Sequence, residues 1–156
     1  MKKNFITPNN GFTVIELLVV MGIIAVLASI VLIALNPAKH FAEARNTQRT
    51  SNVAAILDAL GQNIASNKGV LTCSAIDPTI PSTVTTIKSS GGFAAGSCVV
   101  PEYISALPYD PTSSGAHYSS STDYDTGYQV VRDPVTGRIT VSAPAAELGT
   151  TISISR

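Results

Sequence analysis

This sequence is short of charge, of histidine and of cysteine, and it lacks the short motifs that mark common catalytic centres. Of 156 residues, 13% are charged, and ten basic side chains balance ten acidic ones. No basic field is left to grip a phosphate backbone, which excludes general nucleic-acid binding. No P-loop, HExxH, GxSxG or dinucleotide fingerprint occurs, which removes the usual phosphate, zinc, acyl-transfer and NAD chemistries. The histidines are His40 and His117. A triad can be drawn from His117, a nearby serine and Asp110 or Asp123. A solvated histidine in a serine-rich loop is the simpler reading. No catalytic residue is assigned, and the chain reads as a non-enzyme.

Cysteine is equally scarce. Cys73 and Cys98 are the whole complement, without CxxC spacing, so zinc and dithiol redox chemistry have no footing. Two cysteines in a loop-rich stretch read as one disulfide. It would close about 26 residues, worth roughly 3 kcal/mol of chain entropy. Two unpaired thiols are the alternative.

What the sequence does have is one long apolar run. From Leu17 to Leu35, 19 residues pass without a charge, broken only by Gly22 and Ser29. As a helix this run is about 30 Å long, the thickness of a hydrocarbon core. A chain this short can hardly bury such a helix on every side. Residues 1–11, MKKNFITPNNG, carry Lys2 and Lys3 and read as a charged export leader. The apolar run exceeds the roughly 7–15 residues of a discarded secretory signal. The nearest small-x-small tripeptide, Ala42-Glu43-Ala44, lies past it, so the run is expected to be retained. Glu16 stands directly before this run, inside the wider apolar stretch from Phe12 to Leu35. An ionisable group there costs at least roughly 2–3 kcal/mol and is a functional candidate by default. Snorkelling to the interface is the competing reading.

Pro37 predicts a kink or brief break near residues 33–37, because proline removes a helical donor and crowds the preceding turn. Helical signal resumes after it. Val53, Leu57, Leu60 and Ile64 form one apolar stripe. Arg45, Arg49, Asn52 and Gln62 supply polar faces, and Asn67 with Gly69 supplies a stop. Residues 128–133 and 138–143, joined by Pro134-Val135-Thr136-Gly137, predict a hairpin. Residues 149–156 alternate as a half-buried strand, 83–88 are strand or loop, and 107–127 have turn and loop composition. The fold class is α+β: a long N-terminal helix packed on a small antiparallel sheet. The expected divisions are a leader at 1–11 and a transmembrane helix at 12–35. An amphipathic second half follows at 36–68, then a β-rich head at 69–156 with one disulfide.

Gly11-Phe12-Thr13-Val14-Ile15-Glu16, behind a basic leader and ahead of an apolar helix, resembles the processing motif of type IV pilins and of the pseudopilins of type II secretion. The LPYDP stretch at 107–111 is similar to major pseudopilins. The resemblance implies cleavage between Gly11 and Phe12 by an inner-membrane prepilin peptidase, and N-methylation of Phe12. It implies that residues 12–35 hold the subunit in the cytoplasmic membrane. A motor ATPase and platform protein then draw it into a homo-oligomeric helical filament at the cell surface. Glu16 becomes an assembly contact, pairing with the Phe12 amine of a neighbour. Lipid tails are as apolar as leucine, so apolar packing alone gives assembly little direction.

In the family, proline usually stands nearer the middle of the helix than Pro37 does here. Some pseudopilins hold calcium in a loop comparable to Asp123-Tyr124-Asp125, which makes Asp123 and Asp125 calcium candidates. Ordinary solvated turns are the alternative, and no other cofactor is implied. Tyr103, Tyr109, Tyr118, Tyr124 and Tyr128 are either a contact surface or packing over the sheet. Removal of the leader leaves eight basic and ten acidic side chains, a net −2, again against broad DNA binding. Competing readings are a major pseudopilin or minor pilin, a monomeric signal-anchored surface binding protein, and a soluble protein cut after Ala44.

Overall fold

The computed structural model describes residues 11–73 and 79–156, and the chain divides after Ala38 into two units. The first contains α1 (Val14–Leu35). Thr13 caps it from an extended conformation, and no proline interrupts it. Its side chains are exposed from Val14 to Leu32, a window long and apolar enough to cross a membrane. The hydroxyl of Ser29 donates to the Val26 carbonyl at 2.7 Å, so that polar group is satisfied by its own helix. The chain leaves helical geometry at Asn36, which adopts a left-handed φ of 40°. Asparagine tolerates that region better than most residues. Pro37 then opens α2 (Pro37–Ser66), at the one helical position where a missing N–H costs nothing.

The second unit is built on α2 and a sheet. Val53, Ile56, Leu57 and Leu60 of α2 are buried in one core with Ile87, Tyr124, Tyr128, Val130, Val141 and Ile152 of the strands. The predicted stripe is thus the helix face that meets the sheet, with Ile64 half-buried at its end. Arg49, read from sequence as part of a polar face, is fully buried. The end of α2 is closed by a 2.8 Å bond from the Gly69 N–H to the Ile64 carbonyl, with Lys68 left-handed at φ 57°. That is the long bond of a Schellman closure.

The sheet contains β1 (Thr85–Lys88), β2 (His117–Ser120), β3 (Asp123–Arg132), β4 (Ile139–Ala143) and β5 (Ile152–Ser155), all paired antiparallel. The main order is β1-β3-β4-β5, and β2 pairs with the first end of β3. The predicted hairpin is β3–β4, with Arg132 opposite Ile139 and Val130 opposite Val141.

Residues 107–127 are not all loop: β2 and the first half of β3 lie there. Asp123, Tyr124 and Asp125 therefore sit on a strand. Buried Tyr124, Thr126, Tyr128 and Val130 alternate along β3, and that period-2 burial outweighs the turn-like composition of Ser, Asp and Gly. A short helix, α3 (Gly96–Val99), carries Cys98 into the core. Gly96 is required there, because a Cβ would lie 2.6 Å from the Tyr124 ring. Its N–H donates to the Tyr124 hydroxyl at 2.8 Å.

Candidate functional site

The N-terminal candidate site is the first turn of α1. Thr13 and Glu16 form a complete capping box. The Glu16 carboxylate accepts from the Thr13 N–H at 2.9 Å and from its hydroxyl at 2.8 Å, while the Glu16 N–H donates back to the Thr13 hydroxyl at 3.3 Å. Three residues is the spacing that lets N-cap and N3 satisfy each other's open groups. A helix N-terminus also carries partial positive charge, which favours a carboxylate there. Phe12, just outside the cap, is 88% exposed. Among the described residues, a side chain added at Gly11 would meet nothing within 4 Å.

The head holds a second polar constellation, absent from the sequence reading. Arg49 donates to the Asp110 carboxylate from Nε at 2.8 Å and from Nη2 at 3.2 Å. Both side chains are fully buried. The same guanidinium reaches Thr112 Oγ1 at 2.6 Å, Asn46 Oδ1 at 3.0 Å and Glu147 Oε2 at 2.8 Å. Arg45 grips Glu147 with two bonds, at 2.7 and 2.6 Å. The Asn46 amide pairs with both backbone groups of Glu147. Helix α2 thereby holds the loop after Pro108 and the loop between β4 and β5.

Hydrogen bonds from Arg45 and then Arg49 bring the Glu147 carboxyl down to about 2. Burial works to raise the Asp110 carboxyl, but Arg49 and the N–H groups of Thr112 and Ser113 outweigh it, and the net shift is downward. Arg49, held first by Asp110, is more firmly protonated than a free arginine. A signal was present in the sequence: Arg49 precedes Val53 by four residues, which places it on the apolar stripe. An arginine on that face needs a buried carboxylate. The sequence alone offered Asp110 of LPYDP only as a triad partner for His117, not as the partner of Arg49.

The remaining candidates fall elsewhere. His117 Nδ1 donates to the Gly115 carbonyl (2.7 Å), and its Nε2 lies 3.3 Å from Asp123 Oδ1. Those two partners, Gly115 first, raise its pKa on an exposed surface. Asp125 accepts from the Gly127 N–H at 2.9 Å, and Asp133 caps the β3–β4 turn by accepting from Val135 and Thr136. Asp110, bound to Arg49, is occupied apart from these. Among the described residues, no group of three or more His, Cys, Asp or Glu is placed to hold a metal ion. Cys73 and Cys98 form a disulfide. Tyr124 and Tyr128 are buried, and burial raises both hydroxyl pKa values. Tyr103 and Tyr118 pack against the core, and Tyr109 is half exposed.

Residues 7–32 match the family model of the prokaryotic N-terminal methylation motif. This is the prepilin signature of type IV pilins and pseudopilins, and it spans Gly11, Phe12, the capping box and most of α1. It implies a structural precursor with a membrane-anchoring N-terminal helix, processed by a prepilin peptidase and handled by pilus assembly machinery. No curated protein and no solved structure matches the chain.

Proposed function

We propose that this protein is the subunit of a pilus or pilus-like filament. In this reading a prepilin peptidase cuts between Gly11 and Phe12, the new Phe12 amine is methylated, and α1 holds the subunit in the cytoplasmic membrane. Assembly machinery then packs α1 helices into the filament core, with the heads outward at the cell surface. The observation that carries the reading is the methylation motif placed at the mouth of a helix whose apolar side chains are exposed all round. Such a helix needs lipid first and neighbouring helices afterwards. Gly11 fits a requirement set from outside the chain, by the peptidase, since nothing among the described residues crowds it.

Glu16 supplies register. Cleavage creates a cation at Phe12, next to the capping residue Thr13. The carboxylate of one subunit neutralises the amine of another, in surroundings where packing alone discriminates little between registers. Glu16→Gln separates this role from helix capping, because glutamine also completes a capping box. Processing should proceed normally in that variant, while filament yield falls at least tenfold. Normal filament yield would assign Glu16 to capping alone and remove the proposed ion pair.

A further inference from the structure

Asn63 lies one turn before the end of α2 and is 2% exposed. Its Nδ2 donates to the Thr72 carbonyl at 2.8 Å and to the Cys98 carbonyl at 2.6 Å. Its Oδ1 accepts from the Thr72 N–H at 2.9 Å and from Asn67 Nδ2 at 3.3 Å. One side-chain amide thus binds both backbone groups of the residue before Cys73 and the backbone of Cys98 itself. Each segment also has an apolar anchor in the core: Leu71 two residues before Cys73, and Val99 directly after Cys98.

We propose that Asn63 is the template for the Cys73–Cys98 bond. It holds the two cysteine-bearing segments on α2 while both thiols are still reduced, so oxidation closes a loop that folding has already built. Three of its four bonds are to backbone, which makes the register independent of neighbouring side chains. No other side chain of this size both donates twice and accepts here. Aspartate cannot donate, and leucine would leave the Thr72 N–H and two carbonyls without their partner. Pre-placement raises the effective concentration of one thiol at the other, because the entropy of bringing the segments together is already lost.

The chemistry needs an external oxidant of the disulfide class. One cysteine thiolate attacks the oxidant's S–S bond and forms a mixed disulfide, releasing one oxidant thiol. The second thiolate then displaces the other. The protein loses two electrons and two protons, and the oxidant becomes a dithiol. This inference stands on the head alone and does not require the filament reading.

The test uses the full chain in detergent micelles. In a Cys73→Ser/Cys98→Ser variant, the Thr72 amide should exchange at least about 100-fold more slowly than an unprotected amide, since Asn63 still holds it. Exchange of Thr72 at the unprotected rate, with the Val141 amide still protected, would show that the disulfide alone holds the segment, and the template would be overturned. Asn63→Ala in the two-cysteine protein, equilibrated with reduced and oxidised glutathione, should lower the effective thiol concentration about tenfold or more. Thr72→Val, which keeps the backbone groups that Asn63 binds, should stay at the parent value. An unchanged value in Asn63→Ala contradicts the proposal, and where that variant unfolds, the exchange measurement decides.

Discussion

At the scale of single residues, two acidic groups in apolar surroundings meet opposite solutions. Glu16 was legible because an uninterrupted apolar run makes any carboxylate conspicuous. Asp110 was not, because its partner Arg49 is 61 residues away in sequence, and composition around Pro108 reads as an ordinary turn. The Arg49–Asp110 pair is fully buried, so truncating Asp110 removes two bonds from Arg49 and leaves Glu147 as the carboxylate that still compensates its charge. Asp110→Ala should destabilise the head by about 2–3 kcal/mol in denaturant titrations. A loss below about 1 kcal/mol would mean that solvent reaches Arg49 on truncation. Acid should act at the same place. Both Glu147 and Asp110 titrate lower in the fold than their ordinary values. The unfolded chain therefore binds more protons on acidification, and stability falls as pH drops. For Glu147 the window runs from its ordinary 4.5 down to about 2. Unfolding free energies should decline below about pH 4.5 through these carboxylates. The Glu147→Gln variant should show a shallower decline, and an identical acid profile would contradict this role.

At the scale of elements, periodicity decided most of what could be read. The stripe Val53–Leu57–Leu60 became the buried face of α2, and the β3–β4 hairpin formed where β-rich runs flanked Pro134–Gly137. Strand β2 and the start of β3 were hidden by serine, aspartate and glycine, whose turn preference yields here to cross-strand pairing and to the burial of Tyr124. The turn between β4 and β5 shows the reverse, a sequence poorly suited to its shape. Leu148 (φ 60°) and Gly149 (φ 67°) are both left-handed, and the Thr150 N–H closes the turn on the Glu147 carbonyl at 3.2 Å. Two left-handed central residues are the type I′ pattern, which favours Asn-Gly over Leu-Gly. The strain is imposed from the flank, where Arg45, Asn46 and Arg49 fix Glu147. Leu148 is half exposed, so little packing offsets it. Leu148→Asn should raise stability by roughly 1 kcal/mol. A loss of stability in the same melts would show that the leucine side chain is held by contacts worth more than its backbone strain.

At the scale of the whole molecule, the chain is two units adapted to two solvents. One is an apolar helix with no buried side chain across its candidate span, and the other is a head whose core joins α2 to a five-stranded sheet. The membrane-length helix was legible because hydrophobicity is concentrated in one run. The way α2 grips the loops was not, since it rests on side-chain pairs about 100 residues apart. The same asymmetry explains why a short motif carries so much of the functional argument. The proposed chemistry lies at Gly11 and Phe12, inside the matched motif and just ahead of α1.

The central claim is tested most directly by intact and peptide mass spectrometry of the protein's N-terminus from its native membrane. The expected result is a chain that begins at Phe12 with one added methyl group on its amine. A chain that still begins at Met1 would contradict it and leave Glu16 without its proposed partner.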